Sequence, residues 1–543
     1  MNLNLPFSPD RLLARVCLSL CLAVPLACSE DSPPPDEEQE LPLEVETQQG
    51  PVRGFIQEDV ARTFLGIPYA KPPVGPLRFA LPEPAEPWAD TREATAWSPA
   101  CMQNESTAQT QSEDCLYLNV FTPKSMRRSE REQGLPVMVW IHGGRYLTGE
   151  TSMFPGHNLA ARGDVVYVSI AYRLNAFGFF ANPQMASAGT QNLGLRDQLL
   201  ALKWIRDNIH QFGGDPNRVT LFGESGGGNA VMMHLLMEES RGLVHAGIIQ
   251  SLWQVLQPTT AQTLSAADTL AVRVGCPNAA AIDCLRAVPA ATLLPRVSQS
   301  HRFIPQVDGK LLPDQPLRML RQGRFHRQVP VVLGYTAQEG HFLAYSRSGW
   351  VIPPNDITYS RFVSASTTSL NPLLDPATID KAISWYTPVA QQQGNWMALA
   401  RLTEDYFITC GSLYALQAFA QYSEKPVHAY LWDYTSTNNP EPFLKASHGN
   451  ELPFILDAPV YVPFEKNEAD RRLIDRMIAS WASMAHHEGA PSTESEPWQP
   501  YTSQAPQAYL WQEPNAQKMV PFSPDIIPQC QQWLTVFDPP AAP

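Results

Sequence analysis

Short apolar runs alternate with helical patterns along most of the chain. Nearly continuous apolar runs at 136–141, 165–171, 218–222 and 331–333 are typical of strands that are buried on both faces. Between the second and third runs, residues 193–210 carry apolar side chains at helical spacing. Strand, helix and strand in this order predict an α/β fold, in which a large, mostly parallel central sheet is flanked by helices on both faces.

Composition supports a single large folded unit. Of the 543 residues, 44% are hydrophobic and 17% are charged, which is enough apolar material for a sizeable core. No internal repeat or second composition break follows the N-terminal region, so residues 43–543 are expected to form one domain. The net charge of −14, from 39 basic and 53 acidic residues, disfavours nucleic acid as a partner because phosphate backbones are repelled.

The N-terminus has the pattern of a targeting segment. Two arginines precede the apolar run 16–27, which is too short to span a bilayer and fits the core of a signal peptide. We therefore expect a signal peptide at 1–27, an acidic, proline-rich linker at 28–42, and export. Cys28 follows a small residue and precedes this tether, as at a bacterial lipoprotein processing site, which makes it a candidate for lipidation and a membrane anchor. The alternative is a secreted or periplasmic protein in which Cys28 is an ordinary residue.

Cysteine usage points the same way. Nine cysteines minus the three near the signal segment leave six, an even number that suits an oxidising compartment. Six cysteines allow fifteen connectivities, and six free buried thiols are the alternative. The shortest loops favour two pairs and leave a third, namely Cys101–Cys115, Cys276–Cys284 and Cys410–Cys530.

A serine motif follows the predicted strand at 218–222. Residues 223–227 read Gly-Glu-Ser-Gly-Gly and lead into an apolar helical stretch at 230–237, which places a G-x-S-x-G motif between a strand and a helix. Such a turn lifts Ser225 to a helix N-terminus, where developing negative charge is stabilised. The alternative is a structural glycine turn. Glu224, beside the serine, is expected to be partly buried and to anchor the turn by a hydrogen bond.

A nucleophilic serine needs a base and an acid that orients the base. With an elbow of this kind the chain order is serine, then Asp or Glu, then histidine. Glu339 lies on the segment after the predicted strand 331–333 and is the candidate acid. His448, in a loop further along, is the candidate base. Four other later histidines are less suitable, by proximity to Glu339, by a place in an apolar run, or by solvation near a helix end: His341, His428, His486 and His487.

An acyl-transfer serine also needs backbone N–H groups that bind the oxyanion. The segment after the strand 136–141 reads His-Gly-Gly-Arg-Tyr-Leu-Thr-Gly, and its glycines let the backbone approach a substrate carbonyl. Gly226, after the serine, supplies another N–H. No cluster of residues has the spacing of metal ligands, and no cofactor is expected.

Several long motifs resemble the type-B carboxylesterase/lipase family, which includes the cholinesterases. Residues 64–79 and 113–119 resemble its two N-terminal signatures, and the resemblance extends over about residues 43 to 535. It implies an α/β-hydrolase fold with Ser225 as nucleophile, His448 as general base and acid, and Glu339 as orienting carboxylate. The three cysteine pairs favoured above also match the usual scheme of the family.

Three positions depart from the family pattern. Arg145 stands where a small residue is usual, although its N–H can still donate, so the oxyanion hole is expected to consist of Gly144, Arg145 and Gly226. Gly226 itself replaces a usual alanine. The loop between Cys101 and Cys115 is short and has no aromatic residue, which argues against quaternary-ammonium substrates, and the alternative is that Trp253 or another aromatic residue elsewhere takes over the contact with the cation.

The sequence thus predicts an exported serine carboxylesterase that hydrolyses small-molecule esters through an acyl-enzyme. Two alternatives remain. One is a lipase acting on water-insoluble acylglycerols, and the other is a non-catalytic, cholinesterase-like adhesion module.

Overall fold

The computed structural model describes residues 38–297, 303–370, 373–461, 463–487, 489–493, 496–512 and 518–539. The predicted signal peptide, Cys28 and most of the predicted linker lie outside the described residues. From Glu38 onward the chain forms one compact unit. Within the described ranges, none of the helices combines the length and the apolar character that a membrane crossing requires.

The strands carry the labels β1 to β20 in chain order. They are β1 (Glu38–Glu40), β2 (Glu44–Glu46), β3 (Pro51–Arg53), β4 (Phe55–Gln57), β5 (Ala61–Pro68), β6 (Arg92–Glu93), β7 (Ala100–Cys101), β8 (Gln111–Ser112), β9 (Tyr117–Pro123), β10 (Ser125–Arg127), β11 (Leu135–Ile141), β12 (Val166–Ile170), β13 (Gly214–Glu224), β14 (Ala246–Gln250), β15 (Val331–Thr336), β16 (Val427–Trp432), β17 (Ser492–Thr493), β18 (Glu496–Pro497), β19 (Gln507–Trp511) and β20 (Lys518–Pro521).

The helices are labelled in the same way. They are α1 (Arg128–Gln133), α2 (His157–Gly163), α3 (Asn175–Phe179), α4 (Pro183–Ala188), α5 (Leu193–Asn208), α6 (Gly226–Leu236), α7 (Thr260–Arg273), α8 (Ile282–Ala287), α9 (Ala290–Val297), α10 (Pro316–Arg321), α11 (Glu339–Ser348), α12 (Tyr359–Leu370), α13 (Pro376–Gln393), α14 (Asn395–Glu404), α15 (Cys410–Tyr422), α16 (Leu452–Ile455), α17 (Glu468–His486) and α18 (Pro528–Phe537). A π-helical turn, Asp405–Thr409, joins α14 to α15.

Eleven strands form the central sheet, in the order β20-β19-β16-β15-β14-β13-β11-β12-β9-β5-β4. The pairs from β12 through β11, β13, β14, β15 and β16 to β19 are all parallel, and antiparallel strands flank them on both sides. The apolar runs at 136–141, 218–222 and 331–333 lie within β11, β13 and β15, and the run at 165–171 extends one residue beyond β12 at each end. The predicted α/β architecture with a mostly parallel sheet is therefore confirmed. Glu38–Glu40, at the end of the predicted linker, pairs with β10 outside this sheet.

Helices cover both faces of the sheet, and β11 shows why. All its residues are buried, and successive side chains of a strand point to opposite faces. Val137 and Val139 pack into the cluster that contains the apolar residues of α5 and α6. Met138 and Trp140 pack into a second cluster, which contains those of α2 and α17. A continuous apolar run is what a strand between two cores requires.

The described residues form three disulfide bonds, and their pairing is the one that the loop lengths favoured. Cys101 bonds to Cys115, and Cys276 bonds to Cys284, at sequence separations of 14 and 8 residues. The third bond joins Cys410 to Cys530 across 120 residues. It ties the beginning of α15 to α18 near the C-terminus.

Candidate active site

The sharp turn between β13 and α6 places Ser225 at the carboxyl edge of the sheet. Ser225 has φ +59° and ψ −120°, a combination that is rare outside glycine and is found at functional sites. A Cβ atom on Gly223 would lie 2.6 Å from the Ile141 oxygen, and one on Gly227 would lie 2.0 Å from it. Glycine is therefore required on both sides of the serine. Because α6 begins at Gly226, its N-terminus adjoins Ser225.

The structure brings Ser225, His448 and Glu339 together in one hydrogen-bonded chain. The Nε2 atom of His448 lies 2.8 Å from Ser225 Oγ, and its Nδ1 atom lies 2.6 Å from Glu339 Oε2. The three residues follow the ends of β13, β15 and β16, and the carboxyl ends of parallel strands meet at one edge of a sheet. With the Nδ1 proton donated to Glu339, Nε2 can accept a proton from the serine hydroxyl.

Glu339 is held by two further hydrogen bonds. Its Oε1 atom accepts one from the Ser251 hydroxyl at 2.6 Å and one from the Thr336 backbone N–H at 2.8 Å. Ser251 directly follows β14, the neighbour of β15 in the sheet, and its N–H bonds to the Gly334 carbonyl of β15 at 2.8 Å. This register brings the Ser251 hydroxyl to the carboxylate. A sequence pattern does not reveal such a contact, because strand register is not visible in it.

Two more buried carboxylates surround His448. Glu224 is fully buried rather than partly so, and its Oε1 atom lies 3.1 Å from His448 Nε2. Its carboxylate therefore faces the histidine, in place of the anchoring role expected for it. Glu451, also fully buried, accepts a hydrogen bond from the Gln250 side chain at 3.2 Å. Glu339 and Glu224 thus contact His448, and the charge of Glu451 acts on it without a direct contact.

The electrostatics of this cluster favour a charged histidine. Burial raises the pKa of Glu224 and of Glu451, and the neighbouring carboxylates raise both further. Burial by itself lowers the pKa of His448, but the charges of Glu224 and Glu339 outweigh it and raise the pKa to about 9. An imidazole in this position is a strong base, and the imidazolium that forms when it takes a proton is stabilised.

The loop after β11 packs against the start of α6. Gly144, Arg145 and Tyr146 have φ values of +97°, +59° and +61°, a turn that folds the backbone back on itself. The Arg145 nitrogen lies 3.0 Å from the point that a Cβ on Gly226 would occupy. The structure therefore places the three residues expected to form the oxyanion hole next to each other. Glycine at 226 also leaves room for the arginine, because a larger residue there would press on its backbone.

A cavity of about 230 Å³ lies beside this loop. Trp253 forms part of its wall, with its ring centre 5.9 Å from that of His448. The indole stacks on Phe407 with ring centres 4.4 Å apart. Other lining residues come from the loop after β11, from α6, from α11 and α12 and from the π-helical turn, and they include Arg145, Asn229, Arg347, Leu370 and Tyr406.

Metal binding has one geometric candidate among the described residues, Asp405 with Cys410 and Cys530. The two sulfur atoms are bonded to each other, so neither is a thiolate that could ligate a metal ion. These three residues lie on helices and in the π-helical turn, and none of them takes part in the hydrogen bonds of Ser225, His448 and Glu339.

A largely parallel sheet between two helical layers, with a serine on a strand–turn–helix elbow, defines the α/β-hydrolase fold. The sequence profile described as the carboxylesterase family matches residues 42–523. The chain belongs to the carboxylesterase family. It is a carboxylic ester hydrolase that acts on small-molecule esters.

Curated relatives agree in name with this assignment. The chain is 35% identical to an acetylcholinesterase of Bungarus fasciatus, over 86% of this chain and 82% of the relative. It is 34% identical to pyrethroid hydrolase Ces2e of Rattus norvegicus, over 84% and 83% of the two chains. It is also 34% identical to para-nitrobenzyl esterase of Bacillus subtilis (strain 168), over 84% and 92%. These relatives come from both animals and a bacterium.

Proposed function

We propose that the protein is an exported serine carboxylesterase in which Ser225 is the nucleophile, His448 the general base and acid, and Glu339 the carboxylate that orients His448. The observation that carries this proposal is the chain of hydrogen bonds through His448, at 2.8 Å to Ser225 and 2.6 Å to Glu339. The nucleophile, base and orienting acid of serine hydrolases need this arrangement.

In the proposed reaction, Ser225 Oγ attacks the ester carbonyl while His448 Nε2 takes the hydroxyl proton. The negative charge on the carbonyl oxygen is stabilised by the N–H groups of Gly144, Arg145 and Gly226. The tetrahedral intermediate then expels the alcohol, which receives the proton from His448, and an acyl-enzyme remains. A water molecule, deprotonated by His448, attacks the acyl group, and the acid leaves as Ser225 regains its proton.

The first test replaces the nucleophile. Ser225→Ala is expected to lower kcat on p-nitrophenyl butyrate by roughly three orders of magnitude or more, because the acyl-enzyme cannot form. The matched control is Ser384→Ala, an exposed serine on α13, which should keep wild-type kcat. Wild-type turnover by a folded Ser225→Ala variant would disprove the assignment.

A series of p-nitrophenyl esters from acetate to laurate separates the alternatives. A mutant-sensitive preference for short acyl chains supports the carboxylesterase. A rate that rises sharply once the substrate exceeds its solubility limit would instead support a lipase acting on acylglycerol aggregates. Failure to hydrolyse any of the esters would mean that the substrate lies outside this series, since the carboxylesterase family and the named relatives identify the protein as an ester hydrolase rather than a non-catalytic adhesion module.

For export, the proposal rests on the pattern of residues 1–27 and on the three disulfide bonds, which form in oxidising compartments. Intact-mass measurement of the protein isolated from a bacterial producer tests it. Cleavage before Cys28 with the added mass of a lipid would support an anchored lipoprotein. Cleavage nearby without added mass would support a secreted or periplasmic protein, and an uncleaved chain would contradict export.

A further inference from the structure

Two arginines line the cavity beside the candidate active site. Arg145 lies in the loop of the proposed oxyanion hole, and Arg347 lies on α11, the helix that begins with Glu339. The Arg347 guanidinium carbon lies 5.2 Å from the centre of the Phe407 ring. Phe407 in turn stacks on Trp253, whose ring adjoins His448. An aromatic wall therefore leads from the catalytic histidine to the arginine.

The charges of both arginines are poorly compensated. The nearest carboxylate to Arg145 is that of Glu105, at 3.6 Å, and this glutamate side chain is 59% exposed, so water screens the pair. Arg347 has no ion pair with any residue in the described ranges of the chain. Its guanidinium donates a hydrogen bond to the Leu343 carbonyl of its own helix at 3.3 Å.

Both arginines are partly buried, and the side chain of Arg145 keeps 36% of its surface exposed. Partial burial lowers the pKa of Arg145, and together with the like charge of Arg145 it lowers the pKa of Arg347 to about 9. A guanidinium nevertheless remains charged at neutral pH. Two cations that line one cavity without a buried counter-charge attract an anion that enters it, because the anion relieves the repulsion between them.

We propose that the cavity binds a carboxylate carried by the substrate, so that the enzyme prefers anionic esters, such as half-esters of dicarboxylic acids, to neutral esters of the same length. This proposal rests on the proposed function. Arginine is suited to the role because its planar fork matches a carboxylate in two parallel hydrogen bonds. The apolar wall of Trp253, Phe407 and Leu370 would pack against the methylene groups between the ester and the charge.

The test compares charged and neutral substrates in one assay. The mono-p-nitrophenyl esters of succinate, glutarate and adipate are paired with neutral p-nitrophenyl esters of equal chain length, and the ratio of their kcat/KM values is measured. We expect a ratio above one for at least one length in the wild type. In Arg347→Gln the ratio should fall by about tenfold, equivalent to about 1.4 kcal/mol, mainly through KM. Arg347→Lys, which keeps a positive charge, should restore part of it.

Arg472→Gln is the matched control, because Arg472 is a half-exposed arginine on α17 that pairs with Glu468 at 3.0 Å. Its ratio should equal that of the wild type. An equal ratio in wild type and Arg347→Gln would overturn the proposal, and so would a proportional loss on both kinds of ester, since that outcome indicates a structural role. Isomeric esters with the carboxylate on the alcohol show which arm of the substrate enters the cavity.

A second readout separates this proposal from the proposed function. Free glutarate should raise the Tm of the wild type and of Arg472→Gln, and not that of Arg347→Gln, because a ligand of the folded state stabilises it. If no ester is hydrolysed but glutarate still acts in this way, the function fails and the anion site stands. If neutral esters are hydrolysed and glutarate has no effect on any variant, the anion site fails and the function stands.

Discussion

His448 lies among three carboxylates, and each has a different relation to it. Glu339 contacts Nδ1 and Glu224 contacts Nε2. The negative charge of Glu451 raises the pKa of His448. The side of the imidazole that faces Ser225 therefore also faces Glu224. Because Glu224 and Glu339 both stabilise the charged histidine, we expect them to set the pH at which the proposed base becomes neutral and able to accept a proton.

Replacing Glu224 should move the pH profile. Glu224→Gln removes a negative charge 3.1 Å from Nε2, so the imidazolium is less stable and the pKa of His448 falls. A general base works in its neutral form, and kcat/KM therefore rises with pH through this pKa. The acidic limb of the profile should move to lower pH by about one unit or more. Glu238→Gln, an exposed glutamate paired with Arg241, should leave the limb in place.

Ser251 should matter through Glu339. Ser251→Ala removes the hydrogen bond of 2.6 Å to Oε1, so the carboxylate proposed to orient His448 is held less firmly. We expect kcat to fall by about tenfold with KM nearly unchanged, as for the loss of one hydrogen bond to a charged group. Ser251→Thr, which keeps a hydroxyl, should restore part of kcat. A change confined to KM would contradict a positioning role.

At the scale of single residues, the sequence predicts those that belong to a motif or follow a known order along the chain. Ser225, Glu339 and His448 could be named because the glycine-rich turn and the order of the three residues can be recognised in the sequence itself. The contacts of Ser251 and Glu224 were not predictable in the same way. They depend on how β13, β14 and β15 align, and on side chains that meet across the sheet.

At the scale of secondary-structure elements, the apolar runs predicted where strands lie more accurately than where each strand begins and ends. The run at 218–222 predicted the centre of β13, but the strand begins at Gly214, where polar residues lie at the edge of the core. Helix α6 begins at Gly226, ahead of the apolar stretch, although three successive glycines have low helix propensity. Close packing of the helix on the sheet requires glycine here, because a Cβ on Gly228 would lie 2.5 Å from the Gln250 oxygen of β14.

A buried ion pair joins α5 to the segment after β12. Arg173 makes two parallel hydrogen bonds to Asp197 at 2.7 and 2.8 Å, and both side chains are almost fully buried. Asp197→Ala should lower the free energy of unfolding by about 3–5 kcal/mol, because it leaves a buried guanidinium unpaired. Urea denaturation measures this change. Glu468→Ala, which breaks an exposed pair on α17, should cost less than about 1 kcal/mol.

The double variant Arg173→Met/Asp197→Leu completes the comparison. It removes both charges, so it should be clearly more stable than Asp197→Ala alone. Equal instability of the single and double variants would show that the pair stabilises through packing rather than through charge compensation.

At the scale of the whole molecule, the disulfide bond between Cys410 and Cys530 closes the longest loop among the described residues. In the chain-entropy account, a disulfide stabilises by restricting the unfolded chain, and the effect grows with the length of the closed loop. With separations of 120 and 8 residues, this bond should contribute roughly 5 kcal/mol and the Cys276–Cys284 bond roughly 2.5 kcal/mol.

Calorimetry of two double variants tests this ranking. Cys410→Ala/Cys530→Ala should lower Tm more than Cys276→Ala/Cys284→Ala does, when each is compared with the fully oxidised wild type. The reverse order would show that local packing around each bond outweighs the length of the loop it closes.

Position 145 contributes two groups to the site, a main-chain N–H and a side-chain guanidinium. A substitution replaces the guanidinium and leaves the main-chain N–H in place. Every amino acid except proline retains that N–H, and the φ of +59° favours glycine, asparagine and aspartate among the replacements. Codon randomisation at this single site would therefore vary the charge of the cavity while the amide donor is retained in every variant except proline, whose φ of about −65° does not fit this turn.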